Sequence, residues 1–164
     1  MTLRATILFS SLLFVACAIG QTCTLTGKVI DDQFFPVYQA KIFNADTTFL
    51  VETDIKGNFN IDIPSDTQVL IVAWVSMEWK SIKLSGDCNN LEIILLPRGT
   101  YDFMSPRKVD RQRKKQFDKL PALHQTAFKK GIFEANKPCY VEKFISFRKS
   151  LKEMRKIRTQ MPST

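Results

Sequence analysis

The side chains that could do nucleophilic chemistry are few. The chain has one histidine, His124, and the cysteine in the same C-terminal region is Cys139. A thiol activated by an imidazole is the simplest nucleophilic pair these residues allow, and the basic surroundings of Cys139 would lower a thiol pKa. A lone histidine on a helix, however, far more often packs or faces solvent than catalyses. A zinc peptidase centre needs several nitrogen or carboxylate ligands around an open position, and one histidine does not build it. Asp54, Asn58, Asp62 and Asp66 offer oxygens, but they lack the alternate spacing and closing glutamate of a calcium loop. Turn formation and a solvated strand face account for them. No glycine-rich loop is present to cradle a phosphate. The expectation is a chain with no catalytic centre, metal or cofactor. The alternative is a small thiol-dependent hydrolase using Cys139 and His124.

The remaining chemistry is charge. The formal net charge is +8. Residues 21–97 hold 5 basic against 10 acidic residues, net −5, and residues 98–164 hold 18 against 6, net +12. Such a split points to two regions with different partners, or to regions that attract each other. The candidate interaction surface is Arg111, Arg113, Lys114, Lys115, Arg148, Lys149, Lys152, Arg155 and Lys156. Basic amphipathic helices of this kind lie on anionic membrane surfaces or envelope polymers, or dock on acidic protein, including their own chain. Nucleic acid is disfavoured, because no recognisable nucleic-acid motif is present. A solvated helical face without a ligand is the plain alternative. Oligomeric state is left open.

These residues must be held by a framework, and its centre is the stretch from Val51 to Pro64. Asp54 can bond the backbone two residues on, and Gly57 can take a positive φ, so the stretch predicts a β-turn between two strands. After the turn Phe59, Ile61 and Ile63 fall on one face and Asn58, Asn60 and Asp62 on the other, which is a half-buried strand. Further strands are expected over 22–30, 40–44, 49–53, 68–75, 79–84 and 91–96. The run 68–75 suits a central strand buried on both faces, and Trp79, Ile82 and Leu84 are expected to point inward. Seven short strands uninterrupted by helical pattern predict an antiparallel all-β sandwich and disfavour a parallel βαβ sheet.

From Arg98 the character changes to helical. Pro106 leads into a very basic helix running to Leu120. Pro121 suits the first turn of a second helix over 122–130, which Gly131 stops. Phe144, Phe147, Leu151, Met154 and Ile157 recur at helical spacing and predict a final amphipathic helix.

Residues 1–20 have the form of a secretory signal: Arg4, an apolar run from Ala5 to Ala16, then small Ala18 and Gly20. Cleavage is expected between Gly20 and Gln21. Lipidation at Cys17 is disfavoured by Phe14 at the start of the lipobox. Export permits disulfides. With Cys17 gone or lipidated, Cys23, Cys88 and Cys139 remain, an odd number that leaves one thiol free or paired between molecules. Connectivity is not readable from spacing. A Cys23–Cys88 bridge, joining the start of the first strand to the start of the last, is the expected pair.

A resemblance follows from particular residues. Gly27-Lys28-Val29-Ile30-Asp31, Pro36-Val37 before Ala40-Lys41-Ile42, Thr53-Asp54-Ile55-Lys56-Gly57-Asn58-Phe59, Ile63-Pro64 and the run from Val69 to Trp74 resemble the carboxypeptidase regulatory-like domain. Asp54, Gly57 and Phe59 carry its signature. That family implies a seven-stranded transthyretin-like, or prealbumin-like, sandwich, found in envelope proteins of Bacteroidetes-type bacteria, with folding, positioning or binding roles and no catalysis. The chain departs from it at Phe34-Phe35, where polar or glycine turn residues are usual. Gln39 replaces a common glycine, and Ser76-Met77-Glu78-Trp79 replaces a glycine-aromatic turn. The expected organisation is a signal over 1–20, the sandwich over 21–97 and a basic helical extension over 98–164. The expected function is that of an exported, non-catalytic module at the cell envelope, in the periplasm, at the outer membrane or secreted. Its basic extension makes the contacts. An accessory subunit of an outer-membrane transport complex is the rival reading.

Overall fold

The computed structural model describes residues 22–86 and 88–160. The signal and Cys17 lie outside the described residues. The strands are β1 (Thr22–Asp31), β2 (Lys41–Asn44), β3 (Phe49–Glu52), β4 (Asn58–Pro64), β5 (Val69–Ala73), β6 (Lys80–Lys83), β7 (Asn90–Leu95) and β8 (Val141–Glu142). The helices are α1 (Pro106–Phe117), α2 (Leu120–Lys129) and α3 (Phe147–Gln160). Every strand expected between residues 22 and 96 forms within two residues of its expected bounds. The eighth, β8, comes from the C-terminal region and was not expected.

The strands make two sheets, β4-β1-β7 and β3-β2-β5-β6-β8. Inward residues of both meet in one core: Leu25, Phe59, Ile61, Leu91 and Ile93 from the first, Ile42, Leu70, Val72 and Ile82 from the second. Along β4 burial alternates strictly, with Phe59, Ile61 and Ile63 inside. β5 is the middle strand of its sheet, but Val69 and Ile71 are only half-buried. The strand buried on both faces is β7, where Leu91 through Leu95 are all covered.

One ladder is parallel: β1 beside β7, from Thr26↔Asn90 to Asp31↔Leu95. This corrects the all-antiparallel expectation. The chain crosses to the other sheet and back between these strands, so no hairpin forces them to run oppositely.

The turn at Asp54 is the corner where the chain passes from the five-stranded sheet (β3) to the three-stranded one (β4). Each residue of the signature has a physical task there. The buried Thr53 hydroxyl donates to the Val37 carbonyl at 2.6 Å and accepts the Ala40 N–H at 2.8 Å, tying down the β1–β2 connection. The Asp54 carboxylate accepts the N–H groups of Lys56 and Asn58 at 2.9 and 2.7 Å. The Asn58 hydrogen bond, above all, holds its pKa below the ordinary carboxylate value. Gly57 has φ +76°, and a Cβ there would stand 2.4 Å from the Val29 carbonyl oxygen. Phe59 lies over Gly27, where a Cβ would meet its ring at 2.4 Å. Several non-glycine residues in the connections also take a conformation that favours glycine. Phe34 (φ 72°), Gln39 (φ 58°) and Ser76 (φ 66°) all occupy the left-handed region that favours glycine.

The helical region packs on this body. α2 covers the outer side of β7, and Ile30, Ile94 and Leu96 form a second core with Leu120, Ala127 and Phe133. Pro121 sits in the first turn of α2, as its lack of an N–H permits. At the other end Gly131 has φ +70°, its N–H bonds the Phe128 carbonyl, and the Ile132 N–H bonds the Ala127 carbonyl. This is a Schellman termination, and it turns Ile132 back onto the second core. Gly57→Ala is expected to lower stability by about 1–3 kcal/mol, through backbone strain and the clash with Val29. Urea denaturation measures it, and an unchanged midpoint would refute the corner's role.

Candidate functional site

The sheets and helices meet along the edge formed by β6, β7 and the chain on either side of β8. Four links hold this junction. Cys88, just before β7, is bonded to Cys139, just before β8, with Cα atoms 5.4 Å apart and a sequence separation of 51. The Tyr140 hydroxyl donates to the Glu92 carbonyl at 3.2 Å, and burial drives its pKa well up. Lys80 of β6 stands 2.7 Å from Glu142 of β8. The Glu92 carboxylate accepts the N–H groups of Glu134 and Ala135, and its Oε2 lies 3.5 Å from His124 Nε2.

These charges are buried. Burial pushes Glu92 above the ordinary glutamate value, against the lowering effect of its two backbone N–H donors. Burial pushes His124 down, and the Lys80 charge adds to that. Lys80 is also pushed down by burial, with the Glu142 carboxylate opposing.

The expected Cys23–Cys88 bridge does not form. Cys23 is a free, half-buried thiol. It sits opposite Ile63 on β4, where β1 has not yet met β7, whose ladder begins at Thr26. Cys88 is instead reached by Cys139. The Cys139 sulfur is therefore in a disulfide and supplies no thiol in this structure. His124 is a packing residue, 3 % exposed, with its ring 4.8 Å from that of Phe133.

A second set of contacts holds α1 to α3. Arg113 Nε and Nη2 donate to the two carboxylate oxygens of Glu78 at 2.6 and 2.9 Å, and Nη1 donates to the Ile145 carbonyl at 2.9 Å. Asp110 of α1 caps α3: its carboxylate accepts the Ser146 hydroxyl and the Phe147 N–H, both at 2.6 Å, and the Arg148 N–H at 3.3 Å. Burial raises the Asp110 pKa, but these bonds and the nearby Arg113 outweigh it and hold the group below its ordinary value. A carboxylate at a helix N-terminus is also favoured by the helix dipole.

The nine cations expected as an interaction surface divide. Arg113 is used within the chain, a correction to its place on that surface. Lys114 pairs with Asp118 and lies 5.5 Å from the ring of Phe117. Arg111 and Lys115 on α1, and Arg148, Lys149 and Lys152 on α3, are exposed, and their side chains have no ion pair among the described residues. Arg155 and Lys156 are exposed further along α3. The apolar stripe is shorter than expected. Phe144 precedes α3 and packs edge-on against Phe117, with ring centres 5.7 Å apart. Phe147 and Met154 remain partly exposed, and the Ile157 side chain lies outside the described residues.

Between these two sets of contacts is a cleft of about 730 Å³. Leu96, Val109, Phe117, Leu120, Phe144 and Ile145 supply apolar wall. Lys80, Glu142, Glu78, Arg113 and Tyr101 also line it. Burial, and then the Glu78 charge, raise the Tyr101 pKa. Lys80 was not expected at this site, and Trp79, expected to point inward, is 64 % exposed and stacks on Phe43 on the outer face. The available signal was parity: Lys80, Ile82 and Leu84 share one face of a period-2 strand, and Trp79 does not. Glu92 and Glu142 had no local signal.

Among the described residues no three histidine, cysteine or acidic side chains converge as a metal site, and no helix is long and apolar enough to cross a membrane. No family model and no curated protein matches the chain. In shape it is similar to a chain in the cryo-EM structure of an E. coli P pilus tip assembly intermediate, PapC-PapD-PapK-PapG. The identity is 10%, the TM-score is 0.37, and the match covers 51% of this chain and 10% of that one. That likeness is too slight to identify the fold, and the match spans about a tenth of the other chain's length.

Cys139→Ala is expected to cost about 2–4 kcal/mol in urea denaturation, with reductant bringing the parent protein to the same midpoint. A parent midpoint indifferent to reductant would show that the bridge contributes nothing. His124 also makes stability pH-dependent. Its folded pKa lies below the ordinary 6.5, so the unfolded chain takes up the proton first. Its contribution is therefore complete above 6.5 and is lost as pH falls from there toward the folded value. His124→Gln is expected to remove that part of the slope in thermal melts from about pH 7.5 to about pH 5.5. Identical slopes in the two proteins would refute it.

Proposed function

We propose that the chain is an exported, non-catalytic module of the carboxypeptidase regulatory-like, transthyretin-like sandwich type. Its helical region presents a basic face to an anionic partner at the cell envelope: a membrane surface, an envelope polymer or an acidic protein. The fold part of this reading is supported by two sheets over one core, and by the tasks found for Thr53, Asp54, Gly57 and Phe59. The left-handed backbone at Phe34, Gln39 and Ser76, where the family has turn or glycine residues, supports it further. A disulfide suits an oxidising compartment.

The observation that carries the functional part is the set of exposed cations on α1 and α3 without ion pairs among the described residues: Arg111, Lys115, Arg148, Lys149 and Lys152. The cations with structural work, Arg113 and Lys80, are turned inward against Glu78 and Glu142. What is left outward is a predominantly basic surface, in which Glu153 of α3 is an exposed acidic side chain, carried on helices whose placement is fixed by Asp110 and by the second core. Such a surface attracts polyanions, and salt weakens the attraction.

Cosedimentation with vesicles containing an anionic phospholipid tests the reading. Binding is expected at about 20 mM salt and is expected to fall strongly by about 500 mM. Arg148→Glu/Lys149→Glu/Lys152→Glu is expected to abolish it, with the thermal midpoint retained. Binding that ignored salt, or that was equal on zwitterionic vesicles, would rule out the electrostatic account.

A further inference from the structure

The cleft beside β6 has a polar floor whose hydrogen bonding is incomplete. Lys80 Nζ and Glu142 Oε2 form an ion pair at 2.7 Å, and neither atom has another hydrogen-bond partner among the described residues, so two N–H donors of the ammonium and a lone pair of the carboxylate oxygen stay open. Lys80 is only 8 % exposed. Buried polar atoms are nearly always satisfied, so a buried ammonium and a carboxylate left open toward a cavity call for a ligand. The two charges compensate each other, so what they lack is hydrogen bonding and not net charge. A group that accepts from Lys80 and donates to Glu142 completes both, and a peptide unit does each with its C=O and N–H.

The strand beside the cleft is also incomplete. β8 pairs with β6 only at Ile82↔Glu142 and Lys83↔Val141. Beyond Glu142 the chain leaves β6: Phe144 goes to Phe117, and the Ile145 carbonyl goes to Arg113. Lys80 and Ser81 therefore have strand partners on β5 only, Val72 and Ile71. An open strand edge is the template for adding an extended peptide. The walls, including Leu96, Val109 and Phe144, suit apolar side chains. At the rim Arg98 and Lys143 are exposed cations without ion pairs among the described residues, against one such carboxylate, Asp102. Charge complementarity thus favours an acidic segment.

We propose that this cleft binds an extended peptide segment of a partner protein, alternating apolar and acidic residues, laid along the open edge of β6 at Lys80 and Ser81. The proposal goes beyond the basic face and does not depend on it: Arg148→Glu/Lys149→Glu/Lys152→Glu, which reverses that face, is expected to leave peptide binding in the cleft unchanged.

The probe is a fluorescein-labelled hexapeptide of alternating valine and glutamate, followed by anisotropy as the full oxidised chain is added. Saturable binding is expected. Full N-methylation of the probe, which removes its backbone donors and leaves the protein untouched, is expected to weaken binding by about tenfold or more. Arg98→Glu, on an exposed rim residue whose side chain has no ion pair among the described residues, is expected to weaken it by about tenfold with the thermal midpoint retained, as is Lys80→Met at the floor. Absence of saturable binding overturns the proposal, as does equal affinity for the N-methylated probe. Displacement of the probe by palmitate, with palmitate itself binding tightly, also overturns it and makes the cleft an acyl-chain site.

Discussion

Strand β7 is covered on both sides, and most of the unusual features of the molecule follow from that. Its inward residues Leu91, Ile93 and Leu95 belong to the core between the sheets, and its outward Ile94, with Leu96 just past the strand, belongs to the core beneath α2. A sheet with water on its outer face would leave Glu92 solvated. Here Glu92 is sealed under α2 and the loop after it, and must be satisfied from within: the backbone N–H groups of Glu134 and Ala135 do so, and the His124 imidazole stands 3.5 Å away without a hydrogen bond to it. Leaving that carboxylate unpaired would cost far more than its partners contribute, because an unsatisfied buried charge bears its full desolvation penalty.

The same burial explains why the helical region is tied in so many ways. Its own apolar surface is small, and many of its side chains are cations. One disulfide, one short strand, one ion pair and the Tyr140 hydroxyl converge around β7 and its neighbour β6. Farther out, Arg113 and Asp110 lock α1 to the β5–β6 connection and to the start of α3. Each charged group with structural work is thus turned toward an opposite charge or a helix end. The outward basic face is what remains after that work is done.

The charge split between the two halves of the sequence takes a concrete form. The acidic residues of the strand region that meet the helices are Glu78 and Glu92. One forms a two-pronged pair with Arg113, and the other sits beneath α2. The net attraction of the halves is therefore delivered through a few buried or half-buried contacts, where solvent screens weakly, and not through a broad surface field. Arg111, Lys115, Arg148, Lys149 and Lys152 face outward without ion pairs among the described residues.

Local order was legible in the residues themselves. Alternation placed Phe59, Ile61 and Ile63 inside, Asp54 and Gly57 announced the corner, Pro121 and Gly131 bounded α2, and each strand from β1 to β7 appeared near its expected place. All of that is encoded within a few residues of itself, by side-chain period, hydrogen bonds to near backbone, and φ. The parallel β1–β7 ladder, the strand β8, the partner of Cys88, the pairing of Lys80 with Glu142 and of Arg113 with Glu78, and the cleft between them were decided only by the tertiary fold. Each depends on groups separated by tens of residues meeting in space. Their energies come from burial and desolvation, which no local pattern encodes.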